Sequence, residues 1–349
     1  MKRLFPVAAL AASAILVACE EDAPTAVNPA QMSTELSSVI ATFENNAAFQ
    51  SLSQLSSRFP NYAAVALLRS RLPDIPSRPE DVAALRSYAA EMAARFSRPE
   101  GILASPGDVQ ALFPADVLGK TLVWDVNTDQ YVVGNLSGAP ANGIRILIYT
   151  IDPASGQPFE PLQQLGYVNL TDESTAQADR LGVELKLGTT TIADYTVSAT
   201  VTTTSIQLGA VGFVRSADGT RQVNFNLTTT VSANGVAVNY QVTGNNGVSV
   251  SVTGNLTQTG SQVTFTVSRG GASIELAVNM GATITGTVKF NGVTVATISG
   301  DPGNPTFTGA GGRALTQEEV QSLLAIFEAA GSFLEELSDG VFGPAAVVF

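Results

Sequence analysis

The sequence predicts a mainly β chain with flanking α segments: a large antiparallel meander, either a curled sheet or a partly open barrel, with helices before it and one amphipathic helix after it. Three observations lead there. From about residue 120 to about residue 309, apolar and polar residues alternate with a period of two. Turn-forming pairs recur between the alternating runs. On either side of this stretch, apolar residues fall at helical spacing instead.

The first element is an address. Residues 1–18 carry Lys2 and Arg3, then an apolar stretch ending at Val17, then small residues before Cys19. The apolar stretch is short for a membrane span. Leu16-Val17-Ala18-Cys19 resembles the lipobox of bacterial lipoproteins. That resemblance implies a signal peptide over 1–18, cleavage before Cys19 and acylation of Cys19, which would anchor the protein to a membrane. Several acyl chains on one residue hold far more firmly than one. Glu20 stands where an aspartate marks inner-membrane retention in that family, so the resemblance implies an outer-membrane lipoprotein of the cell envelope, facing the periplasm or, given the acidic run from Glu20 to Asp22, the cell surface.

Residues 19–32 are the lipidated linker, acidic, with two prolines and no apolar periodicity. Residues 33–115 read as helical: Val39, Ile40, Phe43 and Ala47 share one face, and Val82, Leu85, Ala89, Met92 and Phe96 share another. Pro60, Pro73, Pro76 and Pro114 break this region into short pieces.

Residues 120–309 are the antiparallel β domain. Tyr195, Val197, Ala199 and Val201 alternate with threonines and a serine, Val248, Val250 and Val252 with serines, and Val263, Phe265 and Val267 with threonines. Asn142-Gly143, Asp218-Gly219, Asn234-Gly235, Asn246-Gly247, Gly270-Gly271 and Asn291-Gly292 supply the positive φ angles of tight hairpins. Short turns exclude the long crossovers of parallel pairs, and the spacing suggests roughly ten to thirteen strands. Residues 181–309 carry only ten charges, five of each sign, so the polar face is Thr, Ser, Asn and Gln.

Residues 314–338 form the closing helix, expected to pack on the sheet. Thr316 and Glu319 make a capping box, and Val320, Leu323, Leu324, Phe327, Leu334 and Leu337 form one stripe.

Composition excludes much chemistry. The chain has no histidine, hence no imidazole base, relay or metal ligand, and one cysteine, hence no internal disulfide. A net charge of −12 with no basic run argues against nucleic acid as a partner. Asp125-Val126-Asn127-Thr128-Asp129 opens like a calcium loop, but Gln130 and Leu136 replace the required glycine and glutamate, so the segment reads as a polar hairpin tip. No metal, cofactor or catalytic residue is called for.

The expected function is therefore a non-enzymatic envelope lipoprotein acting as a binding or interaction module. In architecture alone the chain resembles the half-barrel envelope lipoproteins and lipid carriers. That resemblance implies the first alternative, a carrier of lipids or other apolar ligands lined by Tyr195, Phe225, Tyr240, Phe265 and Phe290. A carboxylate-based enzyme is the lesser alternative. The partners are thus the membrane through Cys19 and either an apolar ligand or an envelope protein.

Overall fold

The computed structural model describes residues 112–323, except 153, 154, 156, 203, 258, 302, 303, 318 and 322, together with Val341. The signal peptide, Cys19, the linker and the helical stripes expected before residue 112 lie outside the described residues, as does most of the closing helix.

Among the described residues fifteen strands form one sheet. In chain order they are β1 (Thr121–Asp125), β2 (Gln130–Val133), β3 (Gly143–Tyr149), β4 (Gln164–Asp172), β5 (Asp179–Leu187), β6 (Thr190–Val201), β7 (Ser205–Arg215) and β8 (Gln222–Ser232). The second half comprises β9 (Gly235–Gly244), β10 (Val248–Leu256), β11 (Ser261–Arg269), β12 (Ala272–Met280), β13 (Ile284–Phe290), β14 (Val293–Asp301) and β15 (Asn304–Gly309). From β3 to β15 every strand pairs antiparallel with the next, and the sheet is open, with β15 at one edge and β2 at the other.

Two expectations are corrected. The sheet is not purely antiparallel: β1 lies between β2 and β3 and runs parallel to β3 over Thr121↔Arg145 and Leu122↔Ile146. The β2 strand and the connection after it provide the crossover that a parallel pair requires. Second, Asn142-Gly143 is not a hairpin tip. Gly143 begins β3, and a Cβ there would collide with the Leu170 carbonyl of β4, so this glycine permits close strand approach.

Asn234-Gly235 is offset in the same way, with Gly235 opening β9 and a Cβ there colliding with the Leu256 carbonyl of β10, whereas the remaining four flagged pairs sit in turns. Asn291 and Gly292 both have positive φ, 48° and 81°, between Phe290 and Val293, and Gly270 and Gly271 do the same between Arg269 and Ala272. These are two-residue turns whose twist matches the strands they join. Other turns need no such pair. Between β6 and β7 the Thr202 hydroxyl accepts the Ser205 amide at 3.0 Å, and between β10 and β11 the Thr257 hydroxyl accepts the Gly260 amide at 3.2 Å. Unforeseen turns of this kind are one reason the strands outnumber the ten to thirteen expected.

Register converts alternation into two faces. One row of directly opposed residues runs Leu170, Val183, Tyr195, Gly212, Phe225, Val242, Val250, Val267, Ile274 and Phe290, from β4 to β13. The next row runs Leu181, Val197, Ala210, Leu227, Tyr240, Val252, Phe265, Leu276 and Val288. These rows form the inner face, and one continuous core joins them to Ile146, Val168, Leu185 and Val214. The rows displaced by one residue form the outer face. A slip of one residue would exchange the faces, so burial of the inner rows holds the register.

Both ends add to this core. Leu112, Phe113 and Val117 join it before β1, and Leu323 and Val341 join it after β15. The cap of the closing helix is made as expected: the Thr316 amide donates to the Glu319 carboxylate at 2.8 Å, and the Glu319 amide donates to the Thr316 hydroxyl at 3.2 Å.

Candidate functional site

The five aromatic residues expected to line a ligand face all lie on the inner face, with Tyr195, Phe225 and Phe290 in one row and Tyr240 and Phe265 in the adjacent row. They are not one cluster. Tyr195 and Phe225 touch edge to face at 5.6 Å between ring centres, reaching across Gly212 of β7. Phe290 lies five strands beyond Phe225, roughly 24 Å along the sheet at about 4.8 Å per strand.

Gly212 is what lets the first pair meet. Its φ is 152°, and a Cβ there would collide with the Asp194 carbonyl and the Tyr195 Cβ of the neighbouring strand. Glycine leaves the strand without a side chain to pack, and the two rings on either side supply that cover.

Polar atoms are sparse on this face. The Tyr240 and Thr229 hydroxyls bond each other at 2.7 Å, and burial pushes the Tyr240 phenol up while the bond from Thr229 opposes it. Tyr195 differs: its side chain is buried, its hydroxyl has no hydrogen-bond partner, and burial alone drives its ionisation far beyond the ordinary tyrosine range. Buried hydroxyls of Thr121 and Ser261 also lack partners.

The outer face carries a connected network near one end. The Arg145 Nε donates to Asn169 Oδ1 at 2.9 Å, Asn169 Nδ2 donates to Glu184 Oε2 at 2.9 Å, and Glu184 pairs with Lys186 at 2.8 Å. The Arg145 guanidinium also stacks 3.9 Å from the centre of the Tyr167 ring. Burial opposes ionisation of Glu184, but bonds from Lys186 and Asn169 outweigh it and hold the carboxyl below the usual range. Asp194, directly opposite on β6, goes the other way, raised by desolvation and by the Glu184 and Glu173 charges. Glu173 accepts the Thr196 hydroxyl at 3.1 Å, and a Cβ on Gly182 would strike its carboxylate at 2.6 Å.

Sequence reasoning did not single out this network. Its only signal was the concentration of charge between Arg145 and Asp194, next to a stretch nearly free of it. Further along the sheet, the outer rows hold Asn226, Asn239, Gln241, Thr253, Asn255 and Gln262, exposed and with no side-chain hydrogen bond among the described residues.

The Asp125 loop is a hairpin tip. Its carboxylate accepts the Asn127 amide at 2.9 Å and the Asn127 side chain at 3.0 Å, and these bonds hold its ionisation below the usual range. Among the described residues no group of three or more acidic or thiol side chains is placed to hold a metal, and no helix is long and apolar enough to cross a membrane. Comparison of the chain with family models, curated proteins and solved structures finds no match.

Proposed function

We propose that this is a non-enzymatic, lipid-anchored protein of the cell envelope whose sheet is the scaffold of a binding module. The observation that carries the reading is the outer face beyond β6, where amide and hydroxyl side chains keep their hydrogen-bonding capacity unspent on a backbone locked by the core beneath it. Such a face can exchange its bonds to water for bonds to a polar partner without breaking any bond within the fold. Four carboxylates in or beside the sheet have structural tasks: Asp172 accepts the Leu112 amide at 3.2 Å, Glu173 holds Thr196, Glu184 holds Asn169 and Lys186, and Glu275 holds Lys289 at 2.7 Å.

The anchor rests on the lipobox, and the binding face on the sheet, so one experiment separates them. Full-length Cys19→Ser protein is expected to leave the detergent phase yet still sediment with isolated envelopes. Adding Asn239→Lys and Thr253→Lys, which are opposed on β9 and β10, should release it. Sedimentation unchanged by the two lysines would remove the outer face from the proposal, and a Cys19→Ser protein that stays in the detergent phase would remove the anchor.

A second reading, a carrier of apolar ligands, is supported by the placement of all five aromatic residues on the inner face.

A further inference from the structure

Four rows of outer-face residues cross β8 to β11 in continuous register, the first beginning at Asn224 and the last at Thr230. None of these sixteen residues is buried. Nine are Thr or Ser, six are Asn or Gln and one is Ala237, so the grid holds neither a charge nor a large apolar side chain. A protein surface of ordinary composition would place about five charges on as many positions. Charge returns only beyond the grid, in the Glu275–Lys289 pair of β12 and β13 on one side and the Glu184–Lys186 pair of β5 on the other. Apart from Asn224, which accepts the Gln222 side chain at 2.7 Å, none of the sixteen side chains has a hydrogen bond among the described residues.

This composition selects the partner. A protein interface centres on aromatic or other large side chains that are fully desolvated, and the grid offers none. A polyanion or an anionic head group would need cations, and the grid has none. Amides and hydroxyls, which both donate and accept, match a surface that does the same. The geometry points to a neutral polysaccharide lying across β8 to β11, its hydroxyls exchanging hydrogen bonds with the Asn, Gln, Thr and Ser side chains. This names the partner of the binding module proposed above and rests on that reading. Bonds exchanged with water are individually weak, so a repeating chain that engages many at once is favoured over a single sugar. Neighbouring strands of a sheet rotate by about 20–25°, which turns four strands through roughly 60–75°. A flexible chain follows that twist where a flat crystalline surface does not.

The test uses isolated envelopes as the probe and the full-length Cys19→Ser protein as the ligand-seeking form. Envelopes are left untreated, digested with proteinase, or oxidised with periodate and then reduced, which cleaves the vicinal diols of sugars. Retention is expected to survive proteinase and salt at about 1 M, where exposed charges are screened within roughly 3 Å, and to be lost after periodate. Adding Asn226→Ala and Gln241→Ala, opposed on β8 and β9, should weaken retention about tenfold without lowering the melting temperature by more than a degree or two. Ser299→Ala, exposed on β14 outside the grid, should change neither. Retention that survives periodate, or that proteinase abolishes, would overturn the polysaccharide. Loss in salt would overturn its neutrality, and unchanged retention of the double alanine variant would overturn the grid as its seat. A Cys19→Ser protein that untreated envelopes do not retain would overturn the binding-module reading itself.

Discussion

On β8 to β10, Phe225, Val242 and Val250 form one row, and Asn226, Gln241 and Ser251 form the next, a residue away on the same three strands. Both rows share their backbone hydrogen bonds and their strand spacing. The first is buried and the second lies at the surface. Since the ladders are common to both, the difference in their contribution to stability lies in the side chains. The inner row removes apolar area from water, while the outer row exchanges solvent for little else. One face therefore holds the register, and the other is free to be chemically distinctive at small cost.

The comparison breaks most visibly at the inner glycine. Gly212→Val should cost more than about 4 kcal/mol or prevent folding, because its Cβ meets the β6 backbone. Gly219→Val, at a hairpin tip with φ 73° and open space around it, should cost about 1–3 kcal/mol of backbone strain alone. Urea unfolding of both variants measures the gap, and equal losses would show that space on the inner face is not what Gly212 provides.

Next in size is a matched pair of truncations. Leu181→Ala, a fully buried side chain of the inner face, is expected to lose about 2–5 kcal/mol. Thr253→Ala, on the exposed face, should stay within about 0.5 kcal/mol of wild type.

The outer network sharpens the contrast through pH. Asp194 is held above the ordinary aspartate range, so the unfolded chain gives up this proton first and stability falls as pH rises through the folded pKa. Asp194→Asn should thus match the wild type at low pH and exceed it above that window. Glu184 is held low, so its contribution is present above the ordinary glutamate range and lost as pH falls. Glu184→Gln should be the weaker protein at neutral pH and converge with wild type in acid. Both groups are largely solvated, so each difference should stay below about 1 kcal/mol. Denaturation midpoints across pH 3–8 (roughly the span of these titrations) check both signs.

The smallest expected effect lies outside the sheet. Glu319 accepts two bonds from Arg313 and the Thr316 amide, which pull its pKa down to about 2. Its stabilisation of the helix start is present above the ordinary glutamate value and is lost as pH drops from about 4.3 toward 2. Glu319→Gln should lower the thermal midpoint by only a degree or two at pH 7 and leave it unchanged near pH 2, since the pair is exposed.

Much of the sheet was legible because alternation and tight-turn chemistry are local. Val248, Val250 and Val252 announced β10, and Asn291-Gly292 announced the turn after β13. The turns at Thr202 and Thr257 were not, because a threonine hydroxyl closing a turn looks in sequence like any strand threonine. The insertion of β1 between β2 and β3 escaped because two register pairs decide it, and no local pattern records which neighbour a short strand chooses. Alternation likewise assigned Tyr195 to the apolar face, but that its hydroxyl would find no acceptor depends on five neighbours from three strands. The Arg145 to Lys186 network is of the same kind, since its members meet only once β3, β4 and β5 are aligned.

The order of the strands has a kinetic consequence. From β4 onward each strand pairs with its predecessor in the chain, so each of these steps of assembly joins neighbours in sequence and is entropically inexpensive. A growing chain can add one hairpin at a time as it emerges, with each new strand templated by the one before. The exception is β1, which must wait for β3 before its parallel pairing is possible, and the open flank at β2 should therefore be the last part of the sheet to protect its amides from exchange.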